Sequence, residues 1–224
     1  MRVLVTGSAG QVAQVFIRAH TAPDATSGLE FRALDVVPTE GVADSIIGDI
    51  SDEAAVVKAA EGCDAIVHLT HGGGNSAPWE QALKVDYIGT YNVFEAAVRC
   101  GCSRVVYASR AGVMSGFGPE APYAMDETRT VHMTPKPVGY YSVSKVFGES
   151  LGYMYATRET RATTTALARC SSREVGRCYR ADQTARPARL PVLCTLVSAV
   201  DRSPLALASI AAALQSTRLS VSSA

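Results

Sequence analysis

The sequence predicts an α/β fold in which a doubly wound parallel sheet carries helices on both faces. Over residues 1–160, short runs rich in β-branched residues alternate with longer segments of helical periodicity, the pattern of successive βαβ units. The first strand-like run also leads directly into a glycine turn that opens a helix. With 224 residues, 47% of them hydrophobic and 19% charged, the chain can bury the core of one such domain.

The strands and helices can be placed in order along the chain. Strands are expected at residues 2–6, 30–37, 45–50, 64–70 and 104–109. Helices are expected at residues 11–20, from about residue 52 behind Ser51 as N-cap, at 79–99 and at 140–158. Residues 71–75 contain three consecutive glycines and should form a loop, and the glycine- and proline-rich stretch 112–137 should be a long irregular loop.

The composition changes near residue 160. Residues 161–224 contain nine arginines against three acidic residues, although the whole chain is balanced at 21 basic and 21 acidic side chains. The remaining patterns predict strands at 163–168 and 192–200 and a helix at 205–214. We expect a main domain over residues 1–167 and a small irregular C-terminal appendage over 168–224. This appendage is either an incomplete, poorly packed segment, which we favour, or a divergent small lobe.

Composition also restricts the partners and the location of the chain. The balanced charge argues against nucleic acid and against anionic membranes. No apolar run approaches the roughly 18 residues of a membrane span, and the N-terminus lacks the pattern of a signal peptide. The six cysteines form no CxxC pair, so free thiols in a reducing compartment are expected. We expect a cytoplasmic protein.

The turn after the first strand resembles a phosphate-binding loop. Gly7 would let the chain turn tightly off the strand, Gly10 would let the backbone approach a pyrophosphate, and Ala13 is small enough for close helix–strand packing. The phosphates would lie at the positive end of the first helix. A tight strand–helix turn without a ligand is the alternative. If this turn binds phosphate, the main domain is expected to be a Rossmann-type domain.

Asp35, at the end of the second strand, favours the binding interpretation. A carboxylate there can accept hydrogen bonds from the adenosine ribose and would repel a 2′-phosphate, so NAD is favoured over NADP. Asp49, at the end of the third strand, could contact the adenine edge or could cap the next helix.

Tyr141 and Lys145 form a second motif, YxxxK, on the last helix. Positions i and i+4 of a helix share one face, so the phenol and the ammonium point the same way. A nearby cation stabilises tyrosinate and lowers the pKa of the phenol, which would make Tyr141 a general base for an alcohol. A surface pair on a helix is the alternative for this motif taken alone.

These motifs together resemble the extended short-chain dehydrogenase/reductases, the NAD-dependent epimerase/dehydratase family. The matching segments lie in order over residues 1 to about 160: TGSAG at 6–10, Asp35, GDI at 48–50, HLT at 68–70 and YSVSK at 141–145. Residues 71–76 and 139–149 are most similar to uronate dehydrogenases. The resemblance implies NAD as cofactor and a sugar or sugar acid as substrate. It also implies a homodimer in which the helices near 79–99 and 140–158 pair.

By position, the resemblance also implies the site residues. The catalytic group would comprise Tyr141 as base, Lys145 as its partner and a serine or threonine after the fifth strand, here Ser109. The cofactor-binding group would comprise Gly7, Ala9, Gly10, Gln11, Val12, Asp35, Asp49, Ile50, Leu69, Thr70, Tyr141 and Lys145.

This chain departs from the family pattern beside the expected catalytic hydroxyl. Arg110 stands where that hydroxyl residue is expected, and Ser109 comes one position earlier, on the opposite strand face unless the strand bulges. Arg110 could grip a substrate carboxylate or could be a structural or solvent-facing cation. Ser76 could contact substrate or make a turn. Asp86 occupies a position where the family often has asparagine.

The function expected from these observations is NAD-dependent oxidation of a sugar or sugar acid at a CH–OH group. A sugar-nucleotide epimerase or dehydratase, which uses the same hydride step transiently, is the alternative enzyme. A catalytically impaired NAD-binding protein is the alternative outside enzymes, favoured by Arg110 and the unusual tail. His68 and His71 form an HxxH pair without a third ligand nearby, so no metal site is expected.

Overall fold

The computed structural model describes residues 1–22, 25, 27–114, 116, 134–157, 210 and 214. Its five strands form one parallel sheet in the order β3–β2–β1–β4–β5. The strands are β1 (Arg2–Thr6), β2 (Glu30–Asp35), β3 (Asp44–Ile47), β4 (Ala65–His68) and β5 (Arg104–Tyr107). The chain winds from β1 to β2 and β3 on one side and to β4 and β5 on the other. A crevice therefore opens at the carboxyl ends of the strands, where the winding reverses.

The helices α1 (Gln11–Thr21), α2 (Glu53–Ala60), α3 (Trp79–Ala82) and α4 (Gly89–Arg99) lie between strands, and α5 (Tyr140–Thr157) follows β5. The segment Leu83–Ile88 joins α3 to α4 as a π-helix, so the three run on as one long helix with a wide central turn. Single 3₁₀ turns lie at Gly74–Ser76 and Ala111–Met114.

Two hydrophobic clusters cover the two faces of the sheet. Leu4, Leu34 and Ile66 face the first cluster, which α2, α4 and α5 complete with residues such as Phe94 and Tyr155. Their neighbours along the strands point the other way, because side chains alternate across a strand. That second cluster contains Val3, Val5 and Val67 together with Ala13, Phe16 and Ile17 of α1. The predicted sheet with helices on both faces is therefore confirmed.

Two described residues of the tail pack beneath this second face. Ile210 and Leu214 are helical and fully buried against the cluster that contains Val3 and Val5. Arg104 of β5 also donates a hydrogen bond to the carbonyl of Leu214. Part of the expected helix at 205–214 is thus anchored to the sheet. The expected strands at 163–168 and 192–200, and most of the expected loop at 112–137, lie outside the described residues, and the boundary at 167/168 stays a prediction.

Several element boundaries differ from the prediction. β2, β3, β4 and β5 each end two or three residues early, because the chain turns into the crevice as soon as it leaves the sheet. The prediction of Ser51 as an N-cap was wrong. Asp52 caps α2, since its carboxylate accepts hydrogen bonds from the backbone N–H groups of Ala54 and Ala55.

Two further observations bear on the chain as a whole. Within the described residues, no helix is long and apolar enough to cross a membrane. The three cysteines in this part of the chain, Cys63, Cys100 and Cys102, are free thiols, and burial raises the pKa of Cys102 to about 12.

Candidate active site

A cavity of about 470 Å³ lies at the carboxyl ends of the strands. It reaches from the turn after β1 to the first turns of α5, so residues far apart in sequence share one space. The predicted site residues that line it are Gly7, Gly10, Gln11, Val12, Asp35, Asp49, Ile50, Leu69, Thr70, Tyr141 and Lys145.

Gly7 shows why the loop after β1 needs glycine. Its φ is +68°, and a Cβ there would lie 2.6 Å from the backbone nitrogen of Thr70. Its N–H donates to the carbonyl of Leu34 at 3.0 Å. A side chain at position 7 is excluded because the backbone is left-handed there and because it contacts the segment after β4. The turn therefore packs directly against the neighbouring strand ends and leaves the space above it open.

The same loop presents a helix N-terminus to the cavity. Gly10 is the N-cap of α1 with extended backbone, it supplies no side-chain cap, and the first turn contains no acidic residue. The positive end of the helix therefore faces the space that Gln11 and Val12 line. Ala9 does not line the cavity, because its N–H donates to Asp35 Oδ2 at 3.0 Å and braces the loop.

Asp49 lies beside Asp35 at this end of the cavity. Its Oδ1 accepts hydrogen bonds from the N–H and hydroxyl of Ser51, at 2.9 and 2.8 Å, and its Oδ2 lies 2.6 Å from Lys84 Nζ. Hydrogen bonding to Lys84, with the Ser51 contacts, lowers the pKa of Asp49 to about 2. The alternative that Asp49 caps the next helix was wrong, since Asp52 takes that role.

Tyr141 and Lys145 lie at the opposite end, one turn apart on α5. Both are buried, with 8% and 3% of their surface exposed. Lys145 Nζ lies 4.8 Å from the ring centroid of Tyr107 and 5.2 Å from that of Tyr141. A Cβ on Gly148 would lie 2.6 Å from Tyr107 Cε1, so this glycine makes room for the ring that contacts the ammonium.

The ionisation of Tyr141 differs from the expectation. Burial raises the pKa of Tyr141 above its usual value, Arg110 acts in the lowering direction, and Asp86 adds to the rise. The prediction that the helical YxxxK pair would lower this pKa was wrong for the cofactor-free chain. The physical reason is desolvation of the phenol, which helical spacing does not report.

Ser109 and Arg110 follow β5 and point in different directions. The Ser109 hydroxyl is buried and donates to Glu149 Oε1 of α5 at 2.6 Å, and Ser109 does not line the cavity. Arg110 Nη1 donates to Asn75 Oδ1 at 2.9 Å, and its Cζ lies 4.9 Å from the ring centroid of Tyr141. Ser76 is exposed in the adjacent turn. The catalytic role of Ser109 and the substrate contacts of Arg110 and Ser76 stay predictions.

His68 belongs to the packing beneath the cavity. Its Nδ1 lies 2.7 Å from Thr6 Oγ1 and its Nε2 lies 3.1 Å from Thr90 Oγ1. The Thr90 hydroxyl donates to the carbonyl of Asp86 at 2.7 Å, so its oxygen accepts from a His68 Nε2–H. Burial lowers the pKa of His68 to about 3, which keeps the ring neutral. His71 instead lines the cavity, 5.5 Å from the Tyr141 ring.

Asp86 lies on the π-helical segment and holds the glycine-rich loop. Its Oδ1 accepts from the N–H of Gly72 at 2.9 Å, while its buried Oδ2 has no hydrogen-bond partner among the described residues. Burial raises the pKa of Asp86 above its usual value, against the opposing contributions of the Gly72 N–H, Lys145 and His71. Thr70 Oγ1 and Ser142 Oγ are also buried near the site without a partner in this part of the structure.

Other lining residues were not predicted as site residues. Leu34, Ala108 and Gly48, the last within the GDI segment, lie at or just after the strand ends, so their positions relative to the strands could have indicated them. Gln81 and Val85 reach the cavity from the long helix, and periodicity does not predict the π-helical turn that brings them there. Across the described residues, no group of three or more metal-ligating side chains comes together.

Comparison with known proteins identifies the family. The profile described as the NAD dependent epimerase/dehydratase family matches residues 3–182. The chain belongs to this family. The resemblance predicted from the motifs is confirmed, and its cofactor, NAD, is the cofactor of the family.

Three relatives of this epimerase/dehydratase family member are informative. An L-arabinose 1-dehydrogenase (NAD(P)(+)) of Haloferax volcanii is 39% identical over 163 residues, which are 70% of this chain and 62% of that protein. A uronate dehydrogenase of Agrobacterium fabrum is 36% identical over 173 residues, 76% of this chain and 61% of that protein. A mutant uronate dehydrogenase of Agrobacterium tumefaciens complexed with NAD superposes with a TM-score of 0.58, at 32% identity, over 76% of this chain and 62% of that one. This family member therefore spans about three fifths of their length.

The cavity of this family member fits a dinucleotide. The Gly7 turn leaves a surface that a Cβ would fill, the uncapped start of α1 can accept phosphate, and Asp35 lies where a ribose is expected. Thr70 Oγ1 supplies a buried hydroxyl without a partner in the described structure. Tyr141 and Lys145 line the far end, where the nicotinamide would lie.

Proposed function

We propose that this chain is the NAD-binding part of a dehydrogenase that oxidises a sugar or sugar acid at a CH–OH group. The observation that carries the proposal is that Tyr141 and Lys145 line the same cavity as the glycine loop. A base for the hydroxyl proton and a site for the dinucleotide are thus next to each other. The predicted specificity for NAD over NADP rests on Asp35, whose carboxylate would repel a 2′-phosphate.

The residues at the far end divide the chemistry between them. When bound, NAD supplies the acceptor for the hydride that leaves the carbinol carbon. Tyr141, as tyrosinate, takes the hydroxyl proton and becomes the neutral phenol, and its burial keeps water from competing for that proton. Lys145, buried between the rings of Tyr107 and Tyr141, orients the cofactor ribose and supplies positive charge.

Two features support a sugar acid as substrate. Arg110 lies beside Tyr141, and a guanidinium can pair with a carboxylate through two parallel hydrogen bonds. The relatives named above are dehydrogenases of a uronate and of L-arabinose, so both substrate types deserve assay. We propose a hexuronate as the first choice, with Arg110 and Ser76 at the substrate side of the site.

The test is to incubate the chain with NAD and either a hexuronate or L-arabinose. We expect NADH to accumulate in step with an oxidised sugar. Tyr141→Phe should bind NAD in calorimetry as the wild type does but form NADH at least about 100-fold more slowly. Conversion of a sugar nucleotide without net NADH would indicate an epimerase or dehydratase. NAD binding without conversion of any sugar would indicate a binding protein without turnover.

A homodimer is the proposed assembly. The long helix and α5 expose Trp79, Tyr91, Tyr140 and Val143, each with at least 41% of its surface accessible. Exposed aromatic side chains on adjacent helices are typical of protein interfaces. Light scattering should give the mass of two chains, and Tyr91→Glu should give that of one. The cytoplasmic location and the absence of a nucleic-acid partner stay predictions.

A further inference from the structure

We propose that Arg110 is a positioning residue that acts through Tyr141, with its guanidinium favouring the tyrosinate form of that side chain. The family pattern places a hydroxyl residue at this position, so the chain would have a cation where a hydrogen-bonding group is expected. The inference rests on the proposed role of Tyr141 as the base, and it assigns the electrostatic support of that base to a residue outside the YxxxK motif.

The first support is the position of the guanidinium. Arg110 Cζ lies 4.9 Å from the ring centroid of Tyr141, slightly closer than the 5.2 Å of Lys145 Nζ. Lys145 Nζ also lies over the ring of Tyr107, 4.8 Å from its centroid. A cation at this distance from a buried phenol stabilises the negative charge that forms when the phenol loses its proton. Arg110 therefore lies as near to the Tyr141 ring as the motif lysine does.

The second support is a hydrogen bond that joins Arg110 to the loop after β4. Its Nη1 donates to Asn75 Oδ1 at 2.9 Å, which ties the segment after β5 to the turn at Gly74–Ser76. A Cβ on Gly112 would lie 2.6 Å from Arg110 Cζ, so glycine at position 112 leaves room for the guanidinium here.

The other groups around Tyr141 act on its pKa in both directions. Burial raises the pKa of Tyr141 most strongly, and Asp86 of the π-helical segment adds to the rise. Arg110 acts to lower this pKa. The His71 ring, from the loop after β4, lies 5.5 Å from the phenol ring. Lys145 contributes from α5 itself. Among the described residues, Arg110 is thus the cation that comes to Tyr141 from outside its own helix.

The experiment follows the ionisation of position 141 without substrate or NAD. Difluorotyrosine in place of Tyr141 has a more acidic phenol than tyrosine, and fluorine NMR reports that one site. We expect Arg110→Gln to move the titration midpoint to higher pH and Arg110→Lys to leave it close to the wild type. Arg18→Gln removes the same charge from an exposed arginine paired with Glu40, and it should not move the midpoint.

A second variant covers the case in which Arg110→Gln does not fold. Asn75→Ala removes the acceptor that holds the guanidinium but keeps the arginine, and it should move the midpoint in the same direction by a smaller amount. An unchanged midpoint in Arg110→Gln, or in Asn75→Ala where Arg110→Gln does not fold, would overturn the proposal, as would an equal shift in Arg18→Gln. Because no turnover is measured, this result does not depend on whether the proposed function holds.

Activity assays separate this role from recognition of a carboxylate. If Arg110 acts through Tyr141, Arg110→Gln should lower kcat for a hexuronate and for L-arabinose by similar factors and move both pH–rate profiles to higher pH. A rise in KM confined to the hexuronate, with unchanged pH–rate profiles, would show that Arg110 binds the substrate carboxylate without acting on Tyr141, and it would overturn the proposal. Failure of every wild-type assay would count against the proposed function alone.

Discussion

Backbone N–H groups donate the hydrogen bonds that hold the glycine-loop end of the cavity, whereas hydrogen bonds between two side chains hold the Tyr141 end. Gly7 bonds to Leu34 and packs on Thr70, and Asp35 accepts from Ala9. At the other end, Asn75 holds Arg110, and Glu149 accepts from Ser109. Substitutions should therefore act differently at the two ends. Backbone constraint dominates at the first end, and buried charge and hydrogen bonding dominate at the second.

The largest expected effect is at Gly7. Gly7→Ala would place a Cβ 2.6 Å from the Thr70 nitrogen at a φ of +68°. We expect NAD affinity to fall at least about tenfold and the free energy of unfolding to fall by about 1–3 kcal/mol or more. Calorimetric titration and urea unfolding measure both.

The matched control for Gly7→Ala is Gly62→Ala. Gly62 has a similar φ of +71°, but a Cβ there would have nothing within 4 Å. It should carry the backbone strain, about 1 kcal/mol, without weakening NAD binding. Equal losses of NAD affinity in the two variants would refute the importance of the contact with Thr70.

Ser109→Ala tests the Tyr141 end. The variant removes the hydroxyl that donates to buried Glu149, so the free energy of unfolding should fall by about 1–3 kcal/mol. Because the hydroxyl does not face the cavity, turnover should fall less than about tenfold. This loss is smaller than the rate contribution usual for a general acid or base. Ser103→Ala, which removes an exposed hydroxyl that donates to the Asp64 carbonyl, is the control. A 100-fold or larger loss, about the size expected for a catalytic group, would support the predicted catalytic role of Ser109.

Asp86→Asn should stabilise the chain at neutral pH. Burial raises the pKa of Asp86, so the folded state binds its proton more tightly than the unfolded state does. Wild-type stability from this group is present at low pH and is lost as pH rises through the raised pKa. Asparagine keeps the acceptor for Gly72 without the charge.

We expect Asp86→Asn to gain about 1–2 kcal/mol at about pH 7 and much less at about pH 4. Urea unfolding at both pH values measures the difference. A loss of stability at pH 7, or a gain that does not change with pH, would mean that the buried carboxylate is compensated in the folded state.

The smallest effect is expected at Lys84. Lys84→Met breaks the ion pair with Asp49, and the lysine side chain is 58% exposed, so the free energy of unfolding should fall by less than about 1 kcal/mol. The pKa of Asp49 should rise from about 2, because hydrogen bonding to Lys84 is the main cause of its depression. Carboxyl NMR measures that change. Lys58→Met, which removes the same charge from the last turn of α2, is the control. An unchanged Asp49 titration would contradict the assignment.

The same contrast explains which parts of the site were predictable. The strand–glycine–helix turn and the position of Asp35 depend on neighbours in sequence and on the order of the strands, and both lie at the cavity as expected. The orientation of Ser109 depends on Glu149, 40 residues away. The partner of Arg110 is 35 residues away in the opposite direction. Strand alternation indicated that Ser109 would face away, but it could not name either partner.

By itself, the sequence determined the sheet, the glycine loop at the cavity and the helical face shared by Tyr141 and Lys145. Each follows from periodicity, glycine conformation or a residue spacing, which act over a few residues. The tertiary structure decided the ionisation of Tyr141 and the surroundings of Arg110 and Asp86. Desolvation and charge proximity depend on which distant segments pack together, and no local pattern contains that information.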